Sequence, residues 1–175
     1  MTHSILSRAT LVVVASCVAT GCSTPPPPAA TSVVDVDKIA EMVKTDARQL
    51  VQDFNSHDAV KAVSHDAPGI VSMFHGVANV VGPEADLAMT RKQLADPEAH
   101  IAVSDETVDV ASAGDMAVYH AAYAFIMTDP ATKLPVTEHG NWVVGYRLQP
   151  TGGWKIAWNV VSDTPAPVRK GVALP

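Results

Sequence analysis

The residue pair His-Asp occurs twice in the stretch NSHDAVKAVSHDA (55–67), first at His57-Asp58 and again at His65-Asp66. Imidazole and carboxylate groups bind metal ions and transfer protons near neutral pH, so the repeated pair could form either kind of site. Metal ligands on one helix face stand three or four residues apart, whereas His57 and His65 are eight apart and the pattern marks no third ligand. The spacing therefore predicts that Asp58 caps a short helix, that His65-Asp66 lie in the loop leaving it, and that no metal is bound.

Four further histidines, His75, His100, His120 and His139, are candidates for proton transfer because imidazole titrates near neutral pH. The sequence marks no carboxylate partner for any of them, and a lone histidine is more often a surface or hydrogen-bonded residue. The chain also has no G-x-S-x-G motif, P-loop or dinucleotide-binding fingerprint. The sequence accordingly predicts no catalytic residue and no cofactor, with catalysis kept as an alternative.

The composition indicates one folded domain that does not bind nucleic acid. The chain has 175 residues, of which 47% are hydrophobic and 17% charged, enough to bury one ordinary core. Its net charge of -6 and pI near 5.5 leave no basic surface to neutralise phosphates.

The N-terminus has the layout of an export signal, with a basic lead ending at Arg8 and an apolar run from Ala9 to Ala19. About eleven residues are too few for the roughly twenty of a membrane-crossing helix, so removal after targeting is predicted. The residues ATGC ending at Cys22 resemble a bacterial lipobox, which implies a signal peptide over 1–21 and lipidation of Cys22. Because Ser23 follows rather than Asp, the resemblance implies attachment at the periplasmic face of the outer membrane. The alternative is a cleaved signal that releases a soluble periplasmic protein.

Between the signal and the domain, STPPPPAATS predicts an extended Pro-rich tether over 22–36. The folded domain is predicted over 37–165, followed by a C-terminal tail over 166–175 that Pro167 helps to interrupt. Both cysteines, Cys17 and Cys22, precede the domain, which therefore contains no disulfide and no thiolate site.

Three helices are predicted. Over 37–54, apolar residues recur at spacings of three or four and form one stripe: Ile39, Val43, Ala47, Leu50 and Phe54. Asp37 is its expected N-cap. A second, short helix covers 58–63. A third begins at Gly82-Pro83-Glu84 and runs to Leu94, with Glu84 and Asp86 at its positive end.

Strand signals occupy the rest of the domain. IVSMF (70–74) and VANVV (77–81) predict a hairpin, and four longer strands follow over 100–112, 116–128, 139–148 and 154–162. The apolar parity shifts within the first of these, which predicts a bulge near Asp105. No long helix separates the four strands, so an antiparallel α+β arrangement is expected.

This element order resembles the nuclear transport factor 2-like, or ketosteroid isomerase-like, cone. FNSHD (54–58) resembles the F-N-x-G-D link between the first two helices, and GPE (82–84) resembles the G-x-E start of the third. GDMA (114–117), TDP (128–130), GNWVV (140–144), GWKI (153–156) and SDTP (162–165) are similar to the SnoaL-like family, known as domain of unknown function 4440. The resemblance implies three N-terminal helices packed on a strongly bent, mainly antiparallel sheet, with an open apolar pocket and a homodimeric assembly.

Some positions depart from the family pattern. His57 stands where a glycine is usual, and Asn159 stands near where many relatives have an acidic residue. The positions that match the ketosteroid isomerase tyrosine and its two acids fall near Leu50, Met73-Phe74 and Trp142-Val143, all apolar. These substitutions argue against the ketosteroid isomerase mechanism.

Aromatic residues on the predicted strands are candidates for the pocket wall. Tyr119 and Tyr123 share one strand face, as do Trp142 and Tyr146, and Trp158 is expected to close the base. Phe54 and Met73 complete the set of ligand-pocket candidates. The alternative is that these side chains only form the core or pack a second subunit against the sheet.

Three functions remain open. The first is a lipid-anchored cell-envelope protein whose cone binds a small apolar ligand or a protein partner, and touches the membrane only through its N-terminal lipid. The second is an isomerase-, cyclase- or hydratase-like enzyme acting on a small carbonyl compound, and the third is a purely structural homodimer. A titratable group beside a tyrosine in the pocket would favour the enzyme.

Overall fold

The computed structural model describes residues 34–164. In chain order the elements are α1 (Val36–Asn55), α2 (Ala59–Ala62), a 3-10 turn (Val63–His65), β1 (Asp66–Met73), β2 (Val80–Val81), α3 (Pro83–Gln93), β3 (His100–Val110), β4 (Met116–Thr128), β5 (Pro135–Leu148) and β6 (Trp154–Asp163). The predicted signal peptide, the lipidation site Cys22, nearly all of the tether and the tail lie outside the described residues. Within 34–164, no helix has the length and apolar character needed to cross a membrane.

The strands form one six-stranded sheet in the order β2-β1-β6-β5-β4-β3. All neighbouring pairs are antiparallel except β1 and β6, which run parallel, so an early strand pairs with the last one. The three helices and this sheet confirm the predicted α+β fold.

Helix α1 confirms the predicted apolar stripe, since Val43, Ala47 and Phe54 are buried and Ile39 and Leu50 pack against the core. Its N-cap differs from the prediction. The Asp35 side chain accepts a hydrogen bond from the backbone N–H of Lys38 at 3.0 Å, and Asp37 lies in the first turn. Asp35 and Asp37 are only two residues apart, and the prediction from sequence chose the wrong one as the N-cap.

The link after α1 accounts for two features of the FNSHD stretch. Asn55 pairs in both directions with Ile101, donating to its carbonyl and accepting from its N–H, each at 2.8 Å. His57 has a φ of 59°, a left-handed conformation that favours glycine, which is why glycine is usual at this position. Asp58 caps α2 as predicted, accepting from the N–H of Lys61 at 3.0 Å.

The prediction that His65-Asp66 lie in a loop is wrong. His65 ends the 3-10 turn and is buried, and Asp66 begins β1, four residues earlier than the predicted strand. The sequence DAPG over 66–69 has the composition of a turn, but β1 includes it: Asp66 pairs with Ile156 and Val71 with Trp158 of β6, and the register shifts between these two pairs. The hairpin itself is confirmed, although β2 is only two residues long.

The bulge predicted near Asp105 is confirmed. The register between β3 and β4 shifts between Ser104 and Thr107, and Asp105 has a φ of 54°. The bulge returns the apolar residues of β3 to the inner face of the sheet, where α1 packs. Between α1 and the sheet, the largest fully buried side chains are those of Tyr119, Tyr146, Ile70, Ile156, Val43 and Val144.

Candidate functional site

A cavity of about 440 Å³ lies between the helices and the inner face of the sheet. Most of its wall is apolar: Leu50, Phe54, Phe74, Met89, Ile101, Phe125, Met127, Trp142, Ile156 and Val161. Polar groups enter it at a few places, chiefly from β1, α3 and the ends of β5 and β6. An apolar wall with few polar groups is the usual composition of a small-molecule site.

The main polar feature of the cavity is a pair of carboxyl groups, Asp66 and Asp86, called the acid pair below. Asp66 is the first residue of β1, and Asp86 lies in the first turn of α3. Asp86 is only 8% exposed, and Oδ2 of Asp66 is buried with no hydrogen-bond partner among the residues described. Both groups line the same cavity, and the charge of Asp86 is near enough to affect the pKa of Asp66.

Burial, followed by the neighbouring charge of Asp86, raises the pKa of Asp66 to about 8, while His65 and Lys155 act in the opposite direction. The Asp66 carboxyl is therefore mostly protonated at pH 7. A protonated acid in an apolar cavity can donate a hydrogen bond to a ligand, and its conjugate base can accept a proton.

Asn159 adds an acceptor to the wall of the same cavity. Its Nδ2 donates to Oγ of Ser72 at 2.7 Å, and this bond fixes the orientation of the amide. Its Oδ1 is buried and has no hydrogen-bond partner within the part of the chain that the structure describes. The Oδ1 of Asn159 is therefore available to a ligand donor.

A second polar group, the rim cluster, consists of His75, Tyr123, Glu138 and Asp163 at the exposed edge of the cavity. The Tyr123 hydroxyl lies 2.5 Å from Oε1 of Glu138 and 3.1 Å from Oδ1 of Asp163. Nδ1 of His75 lies 2.9 Å from the same Asp163 oxygen, and its Nε2 lies 4.0 Å from Oε2 of Glu138. Burial and the adjacent Glu138 raise the pKa of Tyr123, so its hydroxyl remains protonated and donates.

The rim cluster has the composition of a metal-ligand set that the sequence spacing did not reveal. One ligand atom each from His75, Glu138 and Asp163 lies within 4.8 Å of the others. These three residues come from the loop after β1, from β5 and from the end of β6, so only the fold brings them together. A histidine and two carboxylates are the side chains that could hold a divalent cation here.

His65 belongs to neither the acid pair nor the rim cluster, and contacts two carboxylates of α1 instead. Its Nδ1 lies 2.9 Å from Oδ1 of Asp46 and its Nε2 lies 3.1 Å from Oδ2 of Asp53. The hydrogen bond to Asp46 is the main cause of the raised pKa of His65; burial opposes it and Asp53 reinforces it. Since both nitrogens are occupied by residues of α1, His65 fastens the 3-10 turn to that helix.

Three of the seven predicted pocket residues, Phe54, Tyr123 and Trp142, line the cavity. Tyr119 and Tyr146 are instead fully buried in the core, where Tyr119 packs edge-on against Trp142 with ring centroids 5.5 Å apart. Met73 ends β1 opposite Val160 of β6, and Trp158 packs over Gly145 of β5. Strand parity identified the inner face for Tyr119 and Tyr146 but not their depth. For Met73 and Trp158 the predicted face was wrong, because both pair with outward-facing residues, Val160 and Gly145, and neither lines the cavity.

The sequence reasoning missed the acid pair. Asp86 was assigned to the helix dipole, yet Thr90, one turn later on the same helix face, is also buried against the cavity. This spacing of two short polar residues on the inner face of α3 was an available signal. No signal of comparable strength marked Asp66.

Comparison with known proteins shows the fold. No protein-family model matches the sequence, and neither does any curated protein sequence. Among solved structures, the chain is similar to a ketosteroid isomerase-like protein from Erwinia carotovora atroseptica, with 17% identity and a TM-score of 0.63, covering 74% of this chain and 99% of that one. A protein from Streptomyces avermitilis, proposed to be a dehydratase of the NTF2-like family, shares 17% identity at a TM-score of 0.64 with the same coverage.

An NTF2-like protein of unknown function from Pseudomonas putida KT2440 is 20% identical, with a TM-score of 0.62 over 79% of this chain and 94% of that one. At these identities the likeness concerns the fold alone. The chain thus has the nuclear transport factor 2-like, or ketosteroid isomerase-like, fold. Its membership of the SnoaL-like family stays a prediction.

Proposed function

We propose that the cavity binds a small, mainly apolar molecule through a polar group that contacts the acid pair. The observation that carries this proposal is the pair Asp66 and Asp86 in a largely apolar cavity of about 440 Å³, with Oδ2 of Asp66 buried and unpartnered within the described residues. A buried carboxyl without a hydrogen-bond partner is unfavourable for stability. A ligand that supplies the missing hydrogen bonds removes this cost.

The dimensions of the cavity support the same proposal. Ligand sites span roughly 300–1,000 Å³, and the size of this cavity falls within that range. The aromatic walls from Phe54, Phe125 and Trp142 offer large apolar contact surfaces. A purely structural cone would be expected to fill this space with its own side chains.

The neutral dye 6-propionyl-2-(dimethylamino)naphthalene, whose carbonyl can accept a hydrogen bond, tests this proposal by its fluorescence. We expect binding of one dye per chain, and loss of binding in Met89→Trp, which fills the cavity. The matched control is Met42→Trp on α1, where the methionine is exposed. Equal binding by the two variants would place the dye outside the cavity and contradict the proposal.

Native mass spectrometry of the protein purified from its own host would identify a retained ligand.

The position of the domain in the cell is a separate proposal, and the sequence of the first 22 residues supports it. We propose that Cys22 is lipidated and holds the domain at the periplasmic face of the outer membrane. Metabolic labelling with an alkyne fatty acid is expected to mark the wild type and not Cys22→Ala. A labelled band of equal strength in the variant would contradict lipidation at this residue.

Homodimerisation stays a prediction, which light scattering on the purified chain would check.

A second candidate function is proton transfer on a bound carbonyl compound, and the position of Asp66 favours it. A carboxyl with a pKa of about 8 can both give and take a proton near neutral pH. Leu50, Phe74 and Trp142 line the cavity with apolar groups, so the acid pair, rather than the ketosteroid isomerase residues, would carry the step. The names of the Erwinia and Streptomyces proteins are consistent with this chemistry.

Deuterium incorporation next to the carbonyl of 2-tetralone in D₂O would test the second candidate. We expect the wild type to catalyse exchange and Asp66→Asn to lose at least about 100-fold, the usual contribution of one acid–base group. The exposed Asp109→Asn serves as the control, because Asp109 lies on β3 away from the cavity. Exchange no faster than in buffer would remove this candidate and leave ligand binding in place.

A further inference from the structure

The charges around the cavity are strongly asymmetric. Three carboxyl groups line it, Asp66, Asp86 and Glu138, and Asp163 of the rim cluster adjoins Glu138. The basic groups of the lining are Lys92, which is exposed, and His75, which pairs with Asp163. The interior is therefore acidic, and the chain as a whole carries a net charge of -6.

The acid pair has no counter-ion within residues 34–164. No lysine, arginine or histidine lies within 4.0 Å of the carboxyl oxygens of Asp66 or Asp86 in this part of the chain. The two nearest cations are already engaged, since the Lys155 ammonium donates to the carbonyl of Ser64 and His65 binds Asp46 and Asp53. Two adjacent carboxyls in an apolar site require either a shared proton or a cation.

We infer that the natural ligand is an organic amine, whose ammonium group replaces the proton held by Asp66 and whose apolar body fills the cavity. This inference rests on the proposed function and names the ligand class of the same site. An ammonium group has three N–H donors, and the acceptors that line the cavity include the two carboxyls, the hydroxyl of Thr90 and Oδ1 of Asn159. Thr90 and Asp86 are both more than nine-tenths buried and have no side-chain hydrogen bond within the described residues.

The walls of the cavity suit the same ligand. The rings of Phe54, Phe125 and Trp142 line the cavity and contribute apolar contact with the body of the ligand. The acidic rim cluster would favour the entry of a positively charged molecule and disfavour an anion. A neutral molecule would gain the apolar contacts and hydrogen bonds to groups such as Asp66 and Asn159, but no attraction between opposite charges.

Binding of an amine is linked to proton release. In the free protein the Asp66 carboxyl, with a pKa of about 8, holds its proton at pH 7, and an ammonium group beside it lowers that pKa. The groups that face Asp66 are Asp86 from α3, His65 from the 3-10 turn, Lys155 from β6 and Tyr146 from β5. Asp86 raises the pKa of Asp66, whereas His65 and Lys155 lower it. A bound ammonium group is a further cation and would also lower this pKa. The affinity for an amine should therefore rise about tenfold from pH 7 to pH 9.

Calorimetry with three probes of the same apolar body tests the inference: 4-phenylbutylamine, 4-phenylbutan-1-ol and 4-phenylbutanoate, each added to the purified full chain with a chelator present. We expect the amine to bind at least tenfold more tightly than the alcohol at pH 8.5. Titrations at pH 7 in phosphate and in Tris, whose ionisation enthalpies differ, should show release of nearly one proton with the amine and none with the alcohol.

The variants make the result specific to the acid pair. Asp86→Asn should bring the amine and the alcohol to similar affinities, and Asp66→Asn should do the same, so that the test does not depend on one variant folding. Asp109→Asn, exposed on β3, should leave the preference unchanged. Thermal melts of all variants would confirm that each is folded.

The outcomes separate this inference from the proposed function. If the alcohol binds as tightly as the amine and no proton is released, the amine inference is overturned and ligand binding stands. If the carboxylate binds best, the inference is likewise overturned. If none of the three probes binds, both proposals are wrong.

Discussion

Nδ1 of His65 lies 2.9 Å from Oδ1 of Asp46, a contact that ties the start of the sheet to the middle of α1. The imidazole is buried, and Asp53, two helix turns further at a spacing of seven residues, accepts from its other nitrogen at 3.1 Å. The two copies of the His-Asp motif therefore have different structural roles. Asp58 of the first copy caps a helix, whereas His65 of the second joins two elements.

Replacing His65 by asparagine should lower the free energy of unfolding at pH 6 by about 2 kcal/mol, because it leaves Asp46 and Asp53 without their shared partner. The expected value is modest because Asp46 is about one third exposed. The raised pKa of His65 sets the sign of the pH dependence: the stabilisation is complete below pH 6.5 and is lost as pH rises through the raised pKa. Urea unfolding at pH 6 and pH 9 would measure it. His120→Asn, on an exposed site of β4, is the control.

Asp66→Asn should flatten the pH dependence of stability between pH 6 and pH 8. The folded wild type retains the Asp66 proton up to a pKa of about 8, whereas the unfolded chain releases it near pH 3.8. The folded state therefore binds more protons in this window, and stability falls with rising pH by about 1 kcal/mol per unit for this group. A variant profile with the same slope as the wild type would show that Asp66 is ionised in the folded state. The raised pKa of His65 also makes stability fall with rising pH. The double variant His65→Asn/Asp66→Asn should therefore show a still smaller change of stability with pH.

Gly145→Ala should destabilise the protein by about 1–3 kcal/mol, the usual effect of overpacking. A methyl group at this position would overlap the indole of Trp158, whose ring atoms lie about 2.0–2.4 Å from where the methyl carbon would stand. Gly69→Ala on β1 is the matched control, because a methyl group there meets nothing within 4 Å. The melting temperatures of Gly145→Ala and Gly69→Ala, each compared with the wild type, would measure the two effects on stability. An equal effect at both sites would mean that loss of glycine, rather than contact with Trp158, governs stability.

Asn55→Ala should cost about 1–3 kcal/mol, because it removes two hydrogen bonds to the backbone of Ile101 and leaves partly buried groups unpaired. Asn55→Asp keeps the acceptor and loses the donor, so an intermediate effect is expected. Gln52→Ala, an exposed residue of the same helix, provides the comparison in chemical unfolding. If both Asn55 variants matched this control, the paired amide would have no role in holding α1 to β3.

Much of the fold could be predicted because its signals are local. The stripe from Ile39 to Phe54 determined α1, the parity shift near Asp105 determined the bulge, and Gly82-Pro83 marked the start of α3. Each depends on side chains a few residues apart. The parallel pairing of β1 with β6 has no such signal, since its partners are distant in the chain.

The candidate site could be predicted only in part, for the same reason. Phe54, Tyr123 and Trp142 were identified because strand and helix periodicity indicates which face points inward. Periodicity does not distinguish a residue that fills the core, such as Tyr119, from one that borders empty space. Asp66 and Asp86 meet only because β1 and α3 pack side by side, and two isolated aspartates in sequence carry no mark of that contact.

The partnership of β1 with β6 also determines when the domain can fold. Ser72 and Asn159, bonded across these strands, are 87 residues apart, so the sheet is incomplete until the final strand has been synthesised. Until then β1 has only the two-residue β2 beside it, too little to be stable. Such distant pairing slows folding and leaves a nascent chain open to aggregation. A chain truncated before Trp154 would therefore be a substrate for chaperones and proteases instead of a smaller working domain.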